Sequence, residues 1–174
     1  MFENNNSIIW FTGLPCSGKS SLSKILFEEI KKINEKVILL DGDILRSGIN
    51  SDLGFSKKDR SEGLRRSMEL SKIFFSEGYS VIVSQITPYE KQRIRIKENL
   101  SPNFKMIYLH CSLEKCIERD VKGMYKKAMN GQILNFTGIS DKYEIPNDAD
   151  LTINTEDYCI EDSSKYLINF FKNL

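Results

Sequence analysis

Residues 11–21, Phe11-Thr12-Gly13-Leu14-Pro15-Cys16-Ser17-Gly18-Lys19-Ser20-Ser21, decide the fold of this chain. Gly13 through Ser20 fit G-x-x-x-x-G-K-S/T, the spacing of a loop that wraps phosphates. Glycines let backbone N–H groups turn inward into an anion nest, and the helix that follows adds the positive end of its dipole. Lys19 stands where it neutralises the outer phosphates, and the Ser20 hydroxyl where it ligates Mg²⁺. The flanks agree. The apolar run SIIWFT ends at Thr12, and beyond the loop Leu22, Ile25, Leu26, Ile30 and Ile33 recur at helical spacing. A chance match in a glycine-containing turn lacks that strand and helix. Cys16 has the surroundings of a redox-sensitive thiol, but its plainer reading, a small side chain at a variable loop position, is preferred.

Outward from the loop, five apolar runs alternate with helical stretches: SIIWFT, KVILLD, YSVIVSQI, FKMIYLH and DLTIN. They are apolar on both faces, which predicts buried strands of a mainly parallel five-stranded sheet flanked by helices, an α/β layered fold. Helices are expected from about Asp59 to Glu77, after Pro88, and through Ile160, Leu167, Ile168 and Phe171. Trp10, Phe11 and Tyr108 are expected in the core, and His110 as a structural residue at a strand end. The stretch from Arg119 to Tyr143 breaks the rhythm. It is polar, carries Gly123, Gly131, Gly138 and the lysines Lys122, Lys126 and Lys127, and reads as a mobile lid over about 119–143.

At 174 residues the chain fits one domain, 1–174, with a real core. Its 40% apolar and 28% charged residues are those expected of an ordinary soluble globular protein. A formal charge of +1 provides no general pull toward nucleic acid or anionic membrane, so neither is expected as a partner. No apolar run reaches a membrane span, and MFENNNS lacks the regions of a secretory signal. Cys16, Cys111, Cys116 and Cys159 form no C-x-x-C pair, which argues against zinc and for a reducing, cytoplasmic setting.

What receives the phosphate is narrowed by elimination. A switch GTPase needs N-K-x-D, which is absent; Asp120 to Gly123 fits D-x-x-G, but inside the lysine-rich stretch, and is taken as coincidence. Signature segments of transport or motor ATPases are also missing. A small kinase remains. KVILLDGDILR ends in Asp41 and Asp43, and carboxylates at the tip of a parallel strand beside a phosphate loop can hold Mg²⁺ waters or take a hydroxyl proton. A bare Asp-Gly turn is the bland alternative. Downstream come Arg46, Asn50, Asp52, Phe55, Arg60, Arg65 and Arg66. Arginines bind phosphate-like oxygens bidentately, and Phe55 in a polar stretch suits a stacked base. For Arg65 and Arg66 a plain charged helix face is an equal reading.

Taken in order, GLPCSGKSS, LDGDILRSGINSDLGFSKKDRSEGLRR, ITPYEKQR, RDVKGMYKKAMNGQILNFTGI and YEIP resemble the adenylylsulfate kinase (APS kinase) family over nearly the whole chain. The resemblance implies a P-loop NTPase fold, usually a homodimer, active in sulfate assimilation. It implies transfer of the γ-phosphate of MgATP to the 3′-hydroxyl of adenosine 5′-phosphosulfate (APS), giving PAPS and ADP. By position, Gly13, Cys16, Ser17, Gly18, Lys19, Ser20 and Ser21 would hold ATP, with Ser20 on Mg²⁺. Asp43 would be the base for the hydroxyl, and Asp41 would support the base or the metal. Arg46 and Arg60 would meet the phosphosulfate, Phe55 and Phe136 would sandwich the acceptor base, and Ile86 would line that pocket. Lys122, with Lys126 and Lys127, would close over the nucleotides.

Departures gather on the acceptor side. Ile44 replaces the asparagine of DGDN, Gly63 that of E-N-I-R-R, Gln85 and Thr87 the Phe and Ser of FISP, and Val121 the proline of RDPKG. Losing one buried hydrogen-bond donor costs roughly 0.5–1.5 kcal/mol, enough to alter specificity without touching phosphoryl transfer. The same chemistry on another modified nucleotide, such as cytidine diphosphoramidate in capsule biosynthesis, is therefore an alternative. A catalytically silent nucleotide-binding regulator is a third reading, opposed by the joint presence of Lys19, Ser20, Asp41 and Asp43.

Overall fold

Strands and helices alternate along the chain in a computed structural model that describes residues 6–33 and 36–174. In order they are β1 (Ile8–Thr12), α1 (Lys19–Lys31), β2 (Val37–Asp41), α2 (Gly42–Ser47), α3 (Lys57–Ser76), β3 (Ser80–Ser84), α4 (Glu90–Leu100), β4 (Phe104–His110), α5 (Leu113–Arg119), α6 (Met124–Met129), β5 (Leu151–Asn154) and α7 (Ile160–Lys172). The sheet order is β2-β3-β1-β4-β5, and every pairing is parallel. The mainly parallel sheet expected from the sequence is wholly parallel among the described strands.

Continuous apolar strands suit this arrangement because both faces are covered. Ile8 and Trp10 of β1 point into a cluster with Leu40, Val81, Val83 and Met106, roofed by Leu45, Leu64, Met68 and Ile96 from α2, α3 and α4. Ile9 and Phe11 point the other way, against Ile82 and Leu109 and under Leu22, Leu26 and Ile30 of α1 and Leu167 of α7. Trp10, Phe11 and Tyr108 are buried as expected. Register then builds the site. Asp41 and Phe11 both pair with Ser84, so the tips of β2, β3 and β1 end in one row at the carboxyl edge.

Several boundaries differ from expectation. Ile33 lies past the end of α1 and is 50% exposed, so it is no part of that helix's buried face. β3 stops at Ser84, leaving Gln85 and Ile86 outside the sheet, where Thr87 takes a positive φ of 46° and Pro88 has no N–H for a ladder. α3 begins at Lys57 because Ser56 caps it, its Oγ accepting from the Asp59 amide at 3.1 Å. The stretch expected as a lid contains α6, and with Cys111 and Cys116 it places Tyr125, Ala128 and Phe136 in a third cluster against Leu14 and Cys16. Among the described residues no helix is long and apolar enough to cross a membrane.

Candidate active site

The loop after β1 closes so tightly that only glycine fits at its start. A Cβ on Gly13 would lie 2.6 Å from Ser17 Oγ and 2.7 Å from the Leu109 carbonyl oxygen. Lys19 opens α1 and folds back over the loop, its Nζ donating to the carbonyls of Gly13 (2.9 Å) and Leu14 (2.6 Å). Burial lowers its pKa to about 8. From behind, Thr155 Oγ1 donates to the Ser17 carbonyl at 3.0 Å. Arg119 donates to the carbonyls of Cys16 and Thr155. Drawing loop carbonyls outward leaves loop N–H groups for an anion. Ser17 is buried, Cys16 is half-buried at φ 62°, and Ser20 and Ser21 are exposed on the first turn of α1.

Ser20 Oγ donates to Asp41 Oδ2 at 2.8 Å, joining the loop to the tip of β2. The other oxygen, Asp41 Oδ1, accepts from the Asp43 amide at 2.9 Å and so caps α2. Asp41 is buried, whereas Asp43 is exposed and forms an ion pair with Lys122. A hydroxyl and a carboxylate side by side are hard oxygen donors of the kind that hold Mg²⁺ beside nucleotide phosphates. No group of three or more His, Cys, Asp or Glu among the described residues could hold a metal. Other ligands of such an ion would be phosphate oxygens and water.

Among the residues expected to meet an acceptor, Arg46 stacks its guanidinium 4.3 Å from the centre of the Phe55 ring and donates to the Gly54 carbonyl at 3.0 Å. Arg60 donates to the Phe55 carbonyl at 3.2 Å and to the carbonyl of Asn135, tying the Phe55 loop to the residue before Phe136. Burial lowers the Arg60 pKa from its ordinary value. Phe55 is exposed and available for stacking, but Phe136 turns inward, edge-on to Tyr125 at 5.0 Å. Ile86 is half-buried, and its carbonyl accepts from Thr12 Oγ1 at 2.6 Å. Arg65 and Arg66 are committed to Glu62 and Asp52, which favours the charged-face reading for both.

The departures sort by place. Gln85 Nε2 donates to Ser67 Oγ at 2.8 Å, and Ser67 donates on to the Gly63 carbonyl at 2.9 Å, so Gln85 faces α3. Thr87 Oγ1 accepts from the Trp10 indole at 2.8 Å. Ile44 and Val121 are exposed. His110 meets Tyr108 Oη at 3.2 Å, in keeping with a structural strand end. A cavity of about 530 Å³ opens beside Leu14, walled by Tyr108, Leu113, Ile139 and Tyr143, and includes neither Lys19 nor the two aspartates. No local sequence pattern signals Arg119 as a support for the loop, or Thr155, since their contacts span 103 and 138 residues.

The family model for adenylylsulphate kinase matches residues 5–154. An adenylyl-sulfate kinase of Staphylococcus haemolyticus is 44% identical over 167 residues, covering 95% of this chain and 84% of that protein. One from Clostridium acetobutylicum is 40% identical over 171 residues, 96% of this chain and 86% of its own. The Mycobacterium tuberculosis APS kinase CysC, solved in complex with AMPPNP and APS, superposes with a TM-score of 0.89 at 34% identity, covering 97% of this chain and 98% of that one. A gluconokinase from Sinorhizobium meliloti, at 16% identity and a TM-score of 0.69 over 98% of this chain and 94% of its own, shares the fold.

Proposed function

The chain belongs to the adenylylsulphate kinase family, and from that premise we propose that it moves the γ-phosphoryl group of ATP to the 3′-hydroxyl of adenosine 5′-phosphosulfate. The bond from the γ-phosphorus to the ADP oxygen breaks, a bond to the ribose 3′-oxygen forms, and the hydroxyl proton goes to Asp43. PAPS and ADP result. The observation that carries this reading is the row Ser20–Asp41–Asp43, in which the loop hydroxyl is bonded to the first carboxylate and the second stands free of the core at the same edge. Relatives named adenylyl-sulfate kinase favour APS over cytidine diphosphoramidate as acceptor.

In this reading Gly13, Cys16, Ser17, Gly18 and Ser21 enclose the ATP phosphates, and Lys19 exchanges its loop carbonyls for phosphate oxygens. Ser20 and Asp41 would hold Mg²⁺, which when bound offsets charge on the β- and γ-phosphates. Arg46, Arg60 and Lys122 oppose the acceptor's anionic end, Phe55 stacks on its base, and Ile86 lines the pocket. Phe136 completes the sandwich once the 119–143 segment rearranges as a lid, which also excludes water. We further assign the chain a single domain, a homodimeric state, a cytoplasmic place and a part in sulfate assimilation.

The acceptor screen tests the proposal. ADP release and the 3′-phosphorylated product are measured with APS (giving PAPS) and, separately, with cytidine diphosphoramidate (giving its 3′-phosphate). APS turnover at micromolar acceptor is expected, and turnover of the second acceptor alone would overturn the assignment. Asp43→Ala should retain ATP binding and lose about 10²–10⁴-fold in transfer, the usual contribution of a general base.

A further inference from the structure

Lys122 and Asp43 lie 79 residues apart, yet their side chains form an ion pair across the cleft, 63% and 68% exposed respectively. The ammonium sits on Asp43 Oδ2, an oxygen that a ribose hydroxyl would use. The Lys122 backbone is held by a compact turn, in which the Asp120 carboxylate accepts from the amides of Tyr125 (2.9 Å) and Lys126 (3.0 Å). Tyr125 in turn anchors the segment to the loop through its hydroxyl, which donates to the Pro15 carbonyl at 3.1 Å. With both side chains exposed, the long lysine stem can leave Asp43 while Asp120 and Tyr125 still hold the turn, which then loses one of its tethers.

We propose that Lys122 exchanges partners during the reaction cycle, resting on Asp43 in the free protein and passing to a phosphate oxyanion of a bound nucleotide, which clears the carboxylate for the hydroxyl. This rests on the kinase reading above. The reading above gives that oxyanion to the acceptor; the donor presents the same chemistry, and the two arms of the test distinguish them. A doubly ionised nucleotide end competes well, because an exposed carboxylate–lysine pair is a weak interaction. The exchange makes Lys122 a counter-ion that covers the base in one state and a ligand contact in the other.

Two experiments decide the matter. Affinity is measured calorimetrically for AMPPNP with Mg²⁺, and for APS in the presence of AMPPNP, in wild type, Asp43→Asn, Lys122→Met and the double variant. If Lys122 is held back by Asp43, Asp43→Asn tightens one of these affinities by about two- to fivefold more when Lys122 is present than when it is Met. The arm that responds identifies the nucleotide that draws the lysine. Simple removal of a repelling charge gives equal gains in both backgrounds and overturns the exchange. Amide hydrogen exchange in the nucleotide-free protein needs no acceptor. Asp43→Asn should speed exchange across 120–131 by about two- to fivefold, and unaltered exchange refutes the resting contact. A chain that makes no PAPS but shows the exchange effect has lost the acceptor assignment, not the contact.

Discussion

Folding carries the Lys19 ammonium out of water, and the carbonyls of Gly13 and Leu14 replace only part of its hydration. Its folded pKa, about 8, therefore lies below its ordinary value of 10.5. Between those limits the unfolded chain binds more protons than the folded one, so stability from this group rises with pH, and the full penalty stands below about pH 8. The gap corresponds to about 3 kcal/mol as an order of magnitude. Urea unfolding of nucleotide-free wild type and Lys19→Met from pH 7.5 to 10.5 reads it directly. Wild type should gain on the variant by up to about 3 kcal/mol across that range, and a flat difference would refute a buried, charged lysine. A bound phosphate removes the penalty, which is how a destabilised residue serves nucleotide capture. Lys19, Ser20, Asp41 and Asp43 were all legible in the sequence because short, fixed spacings carry them. Arg119 and Thr155 were not, because only the folded sheet brings them behind the loop.

Among the elements, α3 carries a correctable weakness. Gly63 lies inside its 20 residues, where glycine costs about 0.5–1 kcal/mol relative to alanine. A Cβ there would meet Asn50 Nδ2 at 3.4 Å and Leu53 Cδ1 at 3.6 Å, ordinary contact distances. Gly63→Ala should thus raise stability by about 0.5–1 kcal/mol, seen as a higher urea midpoint at unchanged m-value. A loss of stability would mean that the Asn50 amide cannot accommodate the methyl. The long helix and all five strands were visible through periodicity and apolar runs. α2, α5 and α6, at six or seven residues, are too short to display a period, and two of them begin at side-chain caps on Asp41 and Ser112. Ile33 misled for a related reason: apolar spacing continued past Lys31, but the backbone did not.

At the scale of the molecule, β1 belongs to both cores. Ile8 and Trp10 close one face of the sheet while Ile9 and Phe11 close the other, so neither layer can open without exposing the strand that supports its neighbour. That sharing predicts one cooperative unit. Trp10 is the only tryptophan, is 1% exposed, and bonds through its indole to Thr87 in the loop after β3. Its emission therefore reports the sheet centre, while far-UV dichroism averages over helices on both faces. The two signals should trace a single urea transition. Adding AMPPNP and Mg²⁺ at a hundred times the dissociation constant should move both together by about 2.7 kcal/mol, since a ligand held by the loop stabilises whatever unfolds with the loop. A tryptophan midpoint separated from the dichroism midpoint, or a nucleotide shift confined to one signal, would show that the two faces unfold independently and would end the single-domain assignment.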